Sequence, residues 1–288
     1  MINRHTHLRK LGKNVLAGMF ASLSTLISFS AVNAATLRVK VENIAPQQGN
    51  FFSSLWVGFH DGNFDFFDVD QPPNLALERL AEDADLSEIS SLFNSSSTGS
   101  VDGIVFGPTG PVRDFFPGDS ASATFTVDGS LANSRYFSYG AMILPSNDAF
   151  VGNDNPLAYR IFDDAGKFIP TSFVVLGADV LDAGSEINDE SRFNAAGAGP
   201  TPFDDFQPNT GIDENGVVTV HPGFIPGGNI LGDPNFANAN FRVPGYQVAR
   251  ITITQVPEPN TFIGLLFVGS LFFLHRQKGQ KARSSAKM

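Results

Sequence analysis

Two segments of this chain place side-chain oxygens and small turn residues at the ends of apolar runs. They are Met142-Ile-Leu-Pro-Ser-Asn-Asp-Ala-Phe-Val-Gly-Asn-Asp154 and Asp182-Ala-Gly-Ser-Glu-Ile-Asn188. Ca2+ takes six to eight oxygens from carboxylates, amides, carbonyls and water. Asn147, Asp148, Asn153, Asp154 and Asn155 crowd the first segment, and Asp182, Ser185, Glu186 and Asn188 crowd the second. Neither has EF-hand spacing and neither alone completes a shell, but together at one edge of a sandwich they would. The same residues also read as turn formers whose side chains cap their own backbone. Spacing alone leans slightly to that second reading.

Enzyme chemistry has less to work with. The chain has no G-x-S-x-G elbow, H-E-x-x-H pair, G-x-G-x-x-G turn or phosphate loop. It has no cysteine, which excludes thiol chemistry and disulfides and leaves core burial or bound ions to stabilise an exported body. Of five histidines, His5 and His7 lie near the start and His275 near the end, leaving His60 and His221. Acid pairs that would suit a glycosidase are too plentiful in so acidic a chain to single one out. No catalytic residue is assigned.

The elements that must hold these segments are mostly strands. Leu37–Glu42 alternates apolar and charged residues, and Trp56–Phe59 is a second strand candidate. Leu77, Leu80, Ala81 and Ala84 mark one face of a helix within Asn74–Leu92. Asp85 with Glu88 opens a second short helix ending near Phe93, and a Ser-rich loop spans 94–99. Ala123–Val127 alternates, and Tyr136–Leu144 is apolar enough to be buried on both sides. Ser172–Leu176, Val217–His221 (behind the Asn215-Gly216 turn signal) and Ala249–Thr254 complete the set. Residues 190–213 and 222–245 are expected to be long loops, where binding often resides. The 28 phenylalanines are expected in the core, with Phe64–Phe67 partly on the surface. The expected fold class is all-β, an antiparallel β-sandwich with a short helical insertion and long loops.

The ends differ from the body. Of 19 basic residues nine lie in 1–35 and 262–288, which hold no acids, so the body keeps ten against all 29 acidic ones. Such a body repels nucleic acid and anionic surfaces and attracts divalent cations. Equally, an acidic surface serves to keep an exported protein soluble. Residues 1–34 read as a signal peptide: a basic start, the apolar run Val15–Phe29, and Ala31-Val-Asn-Ala34 as the cleavage site. Residues 35–255 form the expected domain and 256–288 a sorting segment. There Pro257-Glu-Pro259 precedes an apolar stretch, about 261–275, and a basic tail. About 13 apolar residues reach only roughly 20 Å against a bilayer core of ~30 Å. This ending resembles the PEP-CTERM sorting signal, which implies processing by an exosortase-type protease and delivery to the outer surface or extracellular matrix. Membrane contact is expected only through this segment, and an ordinary single-span anchor is the alternative.

The body resembles the spondin N-terminal domain family across most of 36–254. Phe59-His-Asp-Gly-Asn-Phe-Asp-Phe-Phe67, Leu80-Ala-Glu-Asp-Ala-Asp85 and Leu144-Pro-Ser-Asn-Asp-Ala-Phe-Val-Gly152 look like segments of that family. So do Asp182-Ala-Gly-Ser-Glu186, Glu214–His221 and Val248–Ile253. The resemblance implies a C2-like sandwich, bound Ca2+ and extracellular adhesion. It implies Asp148 and Asp154 as metal ligands first, and Asp182 and Glu186 after them. The partner it implies is an extracellular polysaccharide or surface protein. The cysteines and thrombospondin-type repeats of animal members are absent. A secreted carbohydrate-active enzyme and a matrix protein without a specific ligand are the alternatives.

Overall fold

The computed structural model describes residues 34–110, 113–191 and 210–257. The fold is an all-β sandwich of two antiparallel sheets. One sheet has four strands in the order β5 (Ser120–Asp128), β1 (Ala34–Asn43), β11 (Gln247–Gln255), β8 (Thr171–Leu176). The other has seven, running β10 (Thr219–Val220), β9 (Leu181–Asp182), β7 (Ala149–Gly152), β6 (Tyr136–Leu144), β3 (Leu55–His60), β4 (Gly99–Val105), with β2 (Phe51–Phe52) also paired to β6. The alternation in β1 sends Leu37, Val39 and Val41 into the space between the sheets and Arg38, Lys40 and Glu42 to solvent.

Two short helices, α1 (Leu75–Asp83) and α2 (Ser87–Ser95), cover the far face of the larger sheet. Asn74 caps α1, its side chain accepting from the Leu77 amide at 3.0 Å. The molecule therefore has three layers and two apolar cores. The first lies between the sheets, and the second joins the helices to Trp56, Phe150 and Leu181. A sheet covered on both faces explains the unbroken burial of β3 and of all but the first residue of β6.

Phe64, Phe66 and Phe67 are buried in the helix-side core, against the expectation of partial exposure. They pack around Trp56 and Phe150, with Phe67 edge-on to Phe150 at 5.0 Å. β4 begins inside the stretch expected to be a Ser-rich loop. The strand expected at Val217–His221 shortens to Thr219–Val220, which pairs with β9 rather than with a hairpin neighbour. Asn215 does adopt the left-handed conformation that its turn signal implied.

Most importantly for function, the first oxygen-rich segment is not one loop. Ala149–Gly152 is a strand, paired on one side with β6 and on the other with β9. Residues 222–245 form the expected long loop, with one short 3-10 turn at Pro234–Phe236. Most of the other expected loop, the signal peptide apart from Ala34, and the apolar stretch 261–275 lie outside the described residues. No helix among the described residues is long and apolar enough to cross a membrane.

Candidate functional site

β7 decides which of the expected ligands meet. Asp148 stands just before it and Asp154 just past its other end, roughly 15–20 Å away at ~3.3 Å per extended residue. The register sets Ala149 opposite Asp182, so the Asp182-Ala-Gly-Ser-Glu186 turn begins beside Asp148. Asp148, Asp182 and Glu186 are thus brought together, and Asp154 is not. Asp154 is exposed and accepts from the Val69 amide at 3.0 Å, tying the end of β7 to the 61–73 segment. There it adds its charge to that of Asp68. Partial burial first, then those charges, push the Asp65 carboxyl up to about 6. Asn153 is spent on structure as well, accepting from the Tyr139 amide and donating to Ser138.

Around Asp148 one oxygen is fully used and the other is not. Its Oδ2 accepts from the Ser185 amide at 2.9 Å, the Ser185 hydroxyl at 3.2 Å and the Glu186 amide at 3.0 Å. Its Oδ1 is buried with no hydrogen-bond partner. Glu186 repeats the pattern: 5 % exposed, with Oε2 buried and unpartnered. Leaving a buried acceptor unmade costs roughly 1–3 kcal/mol, more if charged. In both carboxyls burial favours the protonated form. Burial first, then the Asp182 charge, raises Asp148 to about 7. Burial first, then the charges of Glu82 and Asp148, raises Glu186 to about 8.

Asp182 has a different job. Its Oδ1 accepts from the Gly184 amide at 2.8 Å, and its Oδ2 accepts a short hydrogen bond from the Asn188 side-chain amide. Asn188 Oδ1 in turn faces His221 Nε2 at 3.2 Å. His221 Nδ1 accepts from the Gly223 amide at 3.0 Å, so the proton sits on Nε2 and the ring donates to Asn188. Burial holds this imidazole down to about 4, and it stays neutral. Both Asp182 oxygens are committed, so it shapes the turn and adds negative potential.

His60 follows the same rule. Nδ1 accepts from the Gly62 amide and Nε2 faces Ser138 Oγ at 2.8 Å, so the ring donates to the hydroxyl. It cannot serve as that hydroxyl's base in this tautomer.

Glu186 lines a cavity of about 480 Å³ that opens to solvent. Glu78, Arg79 and Glu82 of α1 line one side, and Ser185, Glu186 and Asp213 belong to the facing segments. Backbone pairing between 184–187 and 211–216 builds that second wall: Ile187 donates to Ile212 and Glu214 to Ser185. Gly211 is there because nothing larger fits. A Cβ at Gly211 would come 1.6 Å from Glu186 Oε1. Glu82, raised by burial before any other cause, is the ligand candidate that the spacing argument passed over. Its only sequence signal was position: Glu78 and Glu82, one turn apart, share a face of α1. Arg79, paired with Asp83 at 3.0 Å, is a cation on the same wall.

A scan against protein-family models and a search of curated proteins both return no match for this chain. The geometry therefore carries the functional argument. Among the described residues, no three His, Cys, Asp or Glu side chains form a group able to hold a metal by themselves. Calcium does not need three carboxylates in place beforehand, because carbonyls, hydroxyls and water complete its shell. Two buried carboxylate oxygens without donors, one of them on a residue that lines an acidic cavity, fit a hard cation.

Proposed function

We propose that this protein is an exported surface or extracellular-matrix module, a spondin-type sandwich that binds Ca2+ at its rim and mediates adhesion. One observation carries the cation: Asp148 Oδ1 and Glu186 Oε2 are buried without partners, and Glu186 lines a carboxylate-rich cavity. Those two residues are the protein ligands, with Glu82 reaching across from α1. Asp182 sets the turn, and Asp154 belongs to the other end of β7. The ion displaces the protons that the two carboxyls hold, cancels the repulsion between the carboxylates and locks the 184–187 and 211–216 segments to the helix layer. The export signal and the sorting tail read from the sequence support the location.

Beads coated with the protein should cluster in millimolar calcium and disperse in chelator, and Glu186→Gln beads should ignore calcium. Clustering that is indifferent to calcium, or none at all, would reject the reading.

A second reading, a secreted carbohydrate-active enzyme, draws on Glu186 as a carboxyl held protonated near neutral pH at a cavity wall. It requires turnover of a glycan that Glu186→Gln abolishes, with no dependence on calcium.

A further inference from the structure

The outer face of the four-stranded sheet has a chemistry opposite to the rest of the molecule. Strand alternation puts Arg38 and Lys40 of β1 and Arg250 of β11 on it, all three exposed. The register sets Lys40 against Thr252 and Glu42 against Arg250. Lys40 and Arg250 are therefore diagonal neighbours, roughly 7–8 Å apart, and Arg38 lies two residues along β1, roughly 7 Å away. Two acids share the face, and both are occupied. Glu42 pairs with Lys40 at 2.7 Å, and Asp128, at the corner, accepts from the Ser130 amide and hydroxyl. Arg38 and Arg250 make no ion pair among the described residues, although the chain has 29 acids. Hydroxyls flank the cations in rows: Ser122 and Thr124 on β5 oppose Lys40 and Arg38, and Ser172 on β8 lies 3.0 Å from Thr252.

We propose that this face binds an anionic polysaccharide, a glycan carrying carboxylate or sulfate groups. Unpaired guanidinium forks match those groups two bonds at a time. The rows of Ser and Thr can both donate to and accept from sugar hydroxyls. An open sheet face suits an extended chain, and the acidic body elsewhere repels a polyanion, which confines docking to this one surface. The outward positions hold no aromatic side chain on which a base could stack, so single-stranded nucleic acid is not the fitting polyanion. The site is separate from the rim and needs no calcium.

The test is binding of the full-length protein, in chelator, to immobilised polygalacturonate, dextran sulfate and neutral dextran. Retention is expected on both polyanions and not on dextran, weakening as salt is raised. The Arg38→Glu, Arg250→Glu double variant should bind at least about tenfold more weakly while keeping a cooperative melting transition. The milder Arg38→Gln, Arg250→Gln pair should shift in the same direction, and Glu186→Gln should bind like the parent. Wild-type binding by both double variants, equal retention on dextran, or no binding to either polyanion would overturn the proposal.

Discussion

In chelator, the protein's melting temperature is expected to fall by roughly 5–10 °C between pH 6.5 and 8.5, and millimolar calcium to restore most of it. The sign follows from the proton count. Asp148 and Glu186 have folded-state pKa values of about 7 and about 8, raised from 3.8 and 4.5. The penalty is absent below about pH 4, where both states are protonated. It grows as the unfolded chain alone gives up its protons, and it is complete once pH passes the folded values. His60 and His221, both lowered to about 4 by burial, act with the opposite sign. Their contribution is present above about 6.5 and is lost only as pH falls through the range below. Across 6.5 to 8.5 the two histidines oppose the carboxyls by only about 0.8 kcal/mol, so the carboxyls dominate. Across it the rim pair accounts for roughly 2–3 kcal/mol. Asp114, raised to about 7 by burial, adds a smaller slope of the same sign. The Asp148→Asn, Glu186→Gln double variant should lose most of this fall and show no calcium response. Thermal unfolding by circular dichroism reads both effects, and a rise in stability across the window in chelator would contradict the assignment.

Glu190→Ala should cost about 3–5 kcal/mol, close to the loss of a core side chain, although the residue lies in a loop. Glu190 is 3 % exposed and sits in the left-handed conformation. Its carboxylate accepts from the Ile225 amide at 2.5 Å and the Ile230 amide at 3.2 Å, and its carbonyl accepts from Asn229. Its own amide donates to Asn147 Oδ1, the neighbour of Asp148. One side chain thus anchors the 222–232 segment to the rim. Removing it strands two buried donors, whereas Glu190→Gln keeps one acceptor and should lose about half as much. Urea unfolding with an unchanged slope would establish the difference, and a loss below about 1 kcal/mol for the alanine variant would show that the loop holds without this clamp.

The strands with a one-sided environment were legible in the sequence. β1, β5 and β11 face water on one side, so Leu37–Glu42, Ala123–Val127 and Ala249–Thr254 alternate. β6 is covered on both sides and reads as a continuous apolar run. Elements set by long-range contact were not legible. Ala149–Gly152 is short and bounded by Asn and Asp, so local chemistry marks it as a turn, and only pairing with β6 and β9 makes it a strand. That strand carries Asp154 away from Asp148, a separation that local chemistry does not reveal. β4 is a Gly- and Ser-containing strand, only partly buried along most of its length, whose pattern has no strong period. Phe64–Phe67 look surface-exposed until the two helices cover them. At the rim, Asp148 and Glu186 were visible as oxygens at turn positions, while the α1 wall with Glu82 required the tertiary fold. Glu190 carried no signal, because its donors come from a loop 35 to 40 residues away.

Isothermal titration of calcium into the cation-free protein at pH 7.5, repeated in buffers of different ionisation enthalpy, addresses the rim directly. One ion per chain should bind with release of at least about one proton, and binding should vanish in Asp148→Asn, in Glu186→Gln and in Gly211→Ala, where the added methyl displaces the Glu186 carboxylate. Absence of binding to the parent, or equal binding by the parent and all three variants, would show that these orphaned oxygens hold protons and nothing else.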